Sequence, residues 1–555
     1  MRARLHKALE QALAAAQEAG SLPPLEEVPA FVVELPKQAQ HGDLATNLAM
    51  QLARPCRRAP REIAAALLEQ LGDAGGILER AEIAGPGFIN FFLRPSAWLE
   101  ILPRIMAQGR GFGRGDWGGG RRVMVEFVSA NPTGPLHVGH GRGAVLGDVL
   151  ARLLEFAGFS VATEYYINDA GNQMNTLGRS LLIRARQHLG SDESFPDNHY
   201  QGDYLRQLAE EYCRLRGWNG PPELDDQEVA QAARWAGDRI LEGIKDDLAA
   251  FGVEIENWYS ERSLVEAGAV QRAFEELERR GLLYESEGAL WFRSSRFGDE
   301  KDRVVRRQNG ETTYFASDIA YHLDKFNRGF SWLIDVWGAD HHGYVPRMKA
   351  AVQALGHRPD DLEVVLVQLV SLLRAGEPVA MSTRAGEFVT LREVVDEVGK
   401  DSARFIFLTR RSEAQLDFDL ELAKQKSMDN PVFYVQYAHT RVCSMLRKAG
   451  EAGVALPRPE AVELGRLELA EEVALAKLLG EYPHVVQEAA RALEPHRVTY
   501  FLQELAGAFH SYYNAHKVLV EDAALRDARL LLVQAVGQVL AGGLALLGVS
   551  APEAM

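Results

Sequence analysis

Residues 122–143 read RVMVEFVSANPTGPLHVGHGRG, and how this stretch is interpreted decides the fold. Its first eight residues, 122–129, are dense in β-forming side chains and read as a buried strand. Pro132 and Pro135 forbid a helix through the next few positions. GRGAVLGDVLARLLEFAG (141–158) then places Val145, Leu146, Val149, Leu153 and Leu154 at helical spacing, with Gly158 as a stop. FSVATEYYI (159–167) returns as a strand. Strand, loop, helix, strand is a βαβ unit, so a doubly wound parallel sheet is expected. SWLIDVW (331–337) and LEVVLVQLV (362–370) are further apolar runs of the kind found in covered parallel sheets.

Working outward, 555 residues are too many for one core. Residues 1–110 read as an α+β unit in which AEIAGPGFINFFL makes two extended segments around Pro86-Gly87. GRGFGRGDWGGGRR (109–122) reads as a linker. Residues 111–405 hold the parallel sheet and a charged, mostly helical insertion at about 172–300, and 406–555 is helical in pattern. The apolar run Leu530–Val549 is long enough to span a bilayer. Gln534 and Gln538 interrupt it and no basic cluster flanks it, so a buried helix and no membrane are expected. MRARLHKALEQALAAAQEAG at the start reads as an amphipathic helix, because Glu10, Gln11 and Gln17 break any signal-like apolar region.

The bulk numbers exclude some function classes. A net charge of −16 argues against a nucleic-acid coat, so any nucleic-acid partner must meet local basic patches. Cys56, Cys213 and Cys443 are scattered without a CxxC, which excludes a cysteine zinc site and a disulfide framework and fits a reducing cytoplasm.

Ligands of open α/β sheets sit beyond the carboxyl ends of the strands, where the polar segments 129–143, 338–344 and 376–388 all fall. His137-Val138-Gly139-His140 lies where a strand gives way to a helix N-terminus, which attracts phosphate. Two imidazoles there read as donors to phosphate oxygens, with Gly139 permitting close approach of a nucleotide. The alternatives are incidental surface histidines or a zinc pair, the latter lacking a third and fourth ligand nearby. Neither a Walker loop nor a full GxGxxG accompanies the motif, which argues against a P-loop kinase and a hydride-transfer enzyme.

SANPTGPLHVGHGRG (129–143) resembles the HIGH segment of class I aminoacyl-tRNA synthetases, in the form used by bacterial arginyl-tRNA synthetases. The similarity continues through HGDLATNLAMQLAR (41–54), GADHHGY (338–344), MSTRAGEFVTL (381–391), LDFDLELAKQKSMDNPVFYVQYAHTR (416–441), FHSYYNAHKVL (509–519) and LLGVSAPEAM (546–555). It implies a Rossmann-like catalytic domain, an N-terminal α+β domain that meets the tRNA elbow, and an all-helical, DALR-type anticodon-binding domain. It further implies activation of L-arginine with ATP to arginyl-adenylate and pyrophosphate, then transfer to the 3′-terminal adenosine of tRNA(Arg). A cytoplasmic monomer is expected, using ATP with Mg2+ and no zinc or other protein-caged metal.

Residue by residue, the resemblance makes His137, His140, Ser382 and Arg384 catalytic. His137, Gly139, His140, Gly338, Asp340, Met381 and Ser382 would take ATP. Glu126, Ser129, Ala130, Asn131, His140, Tyr314, Asp318 and His341 would take arginine. A guanidinium is planar and permanently charged, and Asp318 would pair with it while Tyr314, four residues earlier, adds a hydroxyl and an aromatic face. Read without the resemblance, Asp318 serves equally as a helix cap or a partner of Arg306 or Arg307. Glu126, in an apolar strand, would need a cationic partner if buried. The family's KMSKS signature corresponds to Ala380-Met381-Ser382-Thr383-Arg384, with both lysine positions changed. Arg384 would reach the phosphates or remain a solvated loop charge, and activation is expected to require tRNA. Phe433, Tyr434, Tyr437 and His439, interleaved with Arg441, Arg447 and Lys448, read either as RNA-stacking groups or as bundle core. Tyr512, Tyr513, Asn514 and His516 are open in the same way. Arg54, Arg57, Arg58 and Arg61 are either phosphate contacts or a solvated face. Competing readings are a HIGH-type synthetase for lysine, glutamate or cysteine, and a non-catalytic tRNA-binding relative.

Overall fold

The expected βαβ unit forms the middle of a five-stranded, wholly parallel sheet in the computed structural model, which describes residues 1–379 and 389–555. The unit comprises β1 (Arg122–Glu126), α1 (Val138–Phe156) and β2 (Ser160–Ile167). β3 (Asn257–Ser260), α2 (Tyr314–Asn327), β4 (Trp332–Gly338) and β5 (Leu362–Val367) complete the layer. The order across the sheet is β5-β4-β1-β2-β3. The order reverses between β4 and β1, and a crevice opens at their carboxyl ends, where such sheets bind ligands. α1 lies so close to the sheet that a Cβ on Gly147 would stand 2.1 Å from the Phe127 ring. No side chain fits there.

Three expectations need correcting. β1 ends at Glu126 and not at Ser129, because Val128 (φ 70°) and Ser129 (φ 42°) turn left-handed. That backbone is costly for a β-branched valine, and such strain gathers at functional sites. The run 362–370 is two strands. β5 stops at Val367, the Gln368 N–H donates to the Ser412 carbonyl, and β6 (Val370–Arg374) pairs in a separate sheet with Leu416–Asp419. The insertion is helical over Asn172–His188, Tyr204–Arg216 and Asp226–Ala250. It then contributes β3 to the main sheet and an antiparallel trio, Leu283–Ser286, Ala289–Phe292 and Arg303–Arg306.

On the N-terminal side, helices Arg2–Glu18, Leu48–Cys56 and Pro60–Leu71 accompany a four-stranded antiparallel sheet, whose hairpin Leu78–Ala84/Phe88–Leu93 turns at Pro86-Gly87. The glycine-rich stretch that follows is an ordered strap. Gly115, Gly118 and Gly120 donate to the carbonyls of Phe156, Ala157 and Gly158 at the end of α1. The C-terminal region packs α3 (Pro431–Glu451), α4 (Ala470–Ala492), α5 (His496–Ala515) and α6 (Ala523–Leu546). α6 carries the bilayer-length run. Leu530, Leu531, Leu532 and Val533 face all sides of it and are fully buried, so protein surrounds the helix as expected. Cβ atoms on Gly537 and Gly543 would strike Val442 and Leu502, so close approach to its neighbours depends on those glycines.

Candidate active site

Parallel register places Glu164 of β2, Glu126 of β1 and Asp335 of β4 side by side across three strands, all buried. Such a row needs cations, and one face of α2 supplies them. Lys325, fully buried, donates to Glu126 at 2.5 Å and to Asp335 at 2.9 Å. Arg328 forks onto Glu164 at 2.6 and 2.8 Å, Tyr321 donates to the same carboxylate at 2.6 Å, and His322 meets Asp335 at 2.9 Å. Burial alone would raise both acids that share Lys325. Lys325 and His322 hold Asp335 well below the carboxylate range, while burial wins at Glu126 and pushes it up. The cationic partner that the sequence demanded for Glu126 is Lys325.

In front of this row lies a cavity of about 450 Å³ whose lining includes Glu126, Ser129, Asn131, Tyr314, Asp318 and His341. Six expected arginine-binding residues are thereby brought together. Tyr314 and Asp318 share one face of α2, as their spacing required. Asp318 is half-buried, and burial raises its carboxyl. It neither caps the helix, whose N-cap is Thr313, nor pairs with Arg307, which meets Glu311. It accepts a hydrogen bond from the Tyr344 hydroxyl and has no ion-pair partner among the described residues. Ser129, on its strained turn, donates to Glu126 at 2.8 Å and accepts from the Tyr166 N–H at 3.1 Å.

A second cavity, about 520 Å³, adjoins the first through Val128, Ser129 and Asn131 and takes in Ala130, His137, Gly139, His140, Gly338, Asp340 and His341. Ala130 and His140, expected at the arginine, line this side instead. His137 caps α1, its Nδ1 accepting the Gly139 N–H at 3.1 Å, and His140 Nδ1 accepts the His137 N–H at 3.3 Å. The rings stack with centroids 3.7 Å apart. Burial lowers His137, and burial with the neighbouring His137 takes His140 down to about 3. Both imidazoles are therefore neutral near pH 7. Because each Nδ1 is an acceptor, the ring proton belongs on Nε2, a donor suited to phosphate oxygen. A Cβ on Gly139 would also crowd the His137 ring, at 3.0 Å.

A third cavity, about 820 Å³, opens on the other side of the same histidines, between Thr133–Pro135, Asn172–Gln173 and Asp197–Tyr204. Met381, Ser382 and Arg384 lie outside the described residues. The chain just beyond them is fixed beside the turn, with Val138 N–H donating to Val389 at 3.3 Å and Leu391 N–H to Leu136 at 2.8 Å.

Sequence reasoning missed Tyr166, Tyr321, His322, Lys325, Asp335 and Tyr344. It also missed Glu261, whose carboxyl is buried near Asp318 with Oε2 lacking a hydrogen-bond partner among the described residues. The usable signal was Tyr321, Lys325 and Arg328 continuing the helical spacing of Tyr314 and Asp318.

In the helical region Val432, Val435 and Ala438 are core, while Phe433, Tyr434 and Tyr437 are half-buried. Phe433 stacks on Tyr437, Arg441 sits over Tyr437 and Tyr513, and Arg441 donates to Asn514 at 3.1 Å. His439 and Tyr512 are buried and structural. Of the N-terminal arginines, Arg58 and Arg61 bond to the carbonyls of Ser21 and Gly85, and all four are exposed.

Three family models match the chain: an arginyl tRNA synthetase N terminal domain over residues 3–93, a tRNA synthetases class I (R) catalytic domain over 102–417, and a DALR anticodon binding domain over 435–555. The arginine–tRNA ligase of Desulfosudis oleivorans is 57% identical over 558 residues, covering 100% of both chains. That of Syntrophotalea carbinolica is 57% identical over 528 residues, 95% of each. Among solved structures, Thermus thermophilus arginyl-tRNA synthetase superposes with a TM-score of 0.76 at 27% identity, covering 99% of this chain and 100% of that one.

Proposed function

The chain belongs to the class I arginyl-tRNA synthetases, enzymes that activate arginine with ATP and esterify tRNA with it, and from that premise we propose which residues do which part of the work. Asp318 carries the reading. Glu126 and Asp335 already share Lys325, and Glu164 has Arg328. Asp318 is the carboxylate on the cavity wall whose only described partner is a neutral hydroxyl, so it offers a fixed negative charge to one incoming monocation. A guanidinium fits, with Tyr314 against its face. Ser129 and Asn131, at the junction of the two cavities, orient the substrate's amino and carboxylate ends.

The nucleotide occupies the second cavity, its phosphates toward the α1 N-terminus. The arginine carboxylate attacks the α-phosphorus in line: the new O–P bond forms as the bond to pyrophosphate breaks. Nε2–H donors of His137 and His140 meet the charge that moves onto the leaving group. Ser382 and Arg384 would add to this from the segment that ends beside the turn. Magnesium fits as a passenger of ATP, since among the described residues that cavity's wall holds one carboxylate, Asp340. In the second step a hydroxyl of the terminal adenosine attacks the arginyl carbonyl and AMP departs. The third cavity, sharing the histidine wall, gives that end of tRNA an entry to the reacting carbonyl. The Phe433–Tyr437–Arg441–Tyr513 patch supports base stacking by the anticodon region, and Arg54 and Arg57 support phosphate contact at the tRNA elbow.

Charging total tRNA with each radiolabelled amino acid tests the assignment: arginine alone should be esterified, and esterification with an uncharged residue would overturn it. With both KMSKS lysines replaced, pyrophosphate exchange should appear only when tRNA is added; brisk exchange by the protein alone refutes that part.

A further inference from the structure

Arg142 stands two residues beyond His140 and takes no part in the chemistry above. It is 2% exposed, and its guanidinium meets no carboxylate among the described residues. It bonds instead to three backbone carbonyls, Gln368 at 2.9 Å, Ala414 at 2.8 Å and Arg411 at 2.8 Å. A buried cation without a counter-ion is expensive, and here the cost is offset by three carbonyl hydrogen bonds that no apolar side chain could make. The charge and the fork are therefore present for something other than packing.

What the fork holds is the far wall of the nucleotide cavity. Gly139, His140 and Gly143 line one side of it, and Gln368 and Leu369 line the other. Leu369 is 75% exposed at that wall, an apolar surface that no described residue covers. The wall lies at the break between β5 and β6, where the chain leaves the main sheet before the second strand begins. Its supports are the Gln368 N–H bond to Ser412, the Leu416 N–H bond to the Leu369 carbonyl at 3.4 Å, and the Arg142 fork, which spans 226 residues of sequence to reach the Gln368 carbonyl.

We propose that Arg142 is a positioning residue for ATP: it sets the spacing between the histidine turn and the Gln368–Leu369 wall, presents Leu369 to the base, and lends a fixed positive charge behind a turn whose own imidazoles are neutral. Lysine keeps the charge but cannot span three carbonyls in one plane, and methionine keeps neither. This inference rests on the nucleotide occupying the second cavity.

The test compares Arg142→Met, Arg142→Lys and Leu369→Asp in full-length enzyme at saturating tRNA(Arg), reading the KM for ATP and for arginine separately. Arg142→Met should raise the ATP KM tenfold or more and leave the arginine KM within twofold, with Arg142→Lys between it and the parent. Equal rises in both KM values, or a lower melting temperature with both unchanged, overturns the proposal. If the methionine variant does not fold, the lysine variant is judged by the same split. Leu369→Asp changes an exposed side chain, so it folds, and it separates the two premises. If it leaves the ATP KM unchanged, the nucleotide does not occupy this cavity and the proposal falls with that reading. If it raises the ATP KM while both Arg142 variants do not, the Arg142 proposal alone falls.

Discussion

On the side of Asn131 proposed to take arginine, Glu126, Asp335, Lys325 and His322 form one buried ionic network, whereas on the side proposed for the nucleotide His137 and His140 face the cavity as neutral rings held by backbone N–H groups. The difference follows from what each side must recognise. A free amino acid with a permanently charged side chain would be selected by a fixed opposite charge, Asp318, set beside carboxylates that Lys325 and Arg328 already engage. The phosphates of ATP arrive with magnesium, and their charge moves during reaction. Neutral donors can follow that movement without releasing protons of their own. The arginine side is therefore expected to fail by losing affinity or stability, and the nucleotide side by losing rate.

The largest effect should come from breaking the network. Lys325→Met leaves two buried carboxylates sharing no cation, a loss of about 3–5 kcal/mol in unfolding free energy. Adding Glu126→Gln and Asp335→Asn to the same chain should recover most of it, because the uncompensated charges go too. Urea unfolding of the single and triple variants measures this. Failure of the triple variant to recover would mean that Lys325 acts through packing.

Next comes Asp318→Asn, which removes one charge from the cavity and keeps the shape. Losing a charge-assisted bond to a guanidinium costs about 3 kcal/mol, near a 100-fold rise in the arginine KM. The ATP KM should stay within twofold. Equal changes in both would take Asp318 out of this role and erase the distinction between the two sides.

His140→Ala should show the opposite pattern. Removing one preorganised donor to a developing charge lowers kcat by about 100-fold, with both KM values little changed. Single-turnover formation of arginyl-adenylate in the presence of tRNA measures it. A variant with normal rate and poor arginine affinity would leave His140 with only the arginine-binding part of the three roles that the family resemblance gave it.

The two sides were unequally legible in the sequence. The histidine turn could be read because its parts are local: a β-rich run, two prolines, two histidines and a helix lie within 40 residues, and short-range stereochemistry fixes their relation. Tyr314 and Asp318 were legible as a pair for the same reason. The acid row was not, because Glu164, Glu126 and Asp335 become neighbours only through strand register, which one sequence does not state. Lys325 was hidden because a lysine on a helix ordinarily reads as solvated. β3 was hidden because four residues, Asn257–Ser260, are too short to show a period inside a charged, helical stretch. The split of 362–370 was missed because β-forming residues lie on both sides of Gln368 and the bond that breaks the run, from Gln368 N–H to Ser412, is long-range.

The smallest effect, and the one that sharpens the comparison most, is the response to pH. His140 titrates at about 3 in the folded enzyme against about 6.5 unfolded. Between those values the unfolded chain binds a proton that the folded turn does not, so this group's contribution to stability is whole above 6.5 and declines as pH falls. Asp318 runs the other way. Its folded value lies above that of a free carboxyl, so protonation on acidification favours the folded, empty site. Arginine binding, however, needs the ionised form. As pH is lowered from 8 toward 5, the arginine KM should begin to rise while kcat, measured at saturating arginine and ATP, stays flat, with no step near 6.5. A kcat step at 6.5 would mean that the imidazoles ionise during turnover, and the nucleotide side would then depend on charge just as the arginine side does.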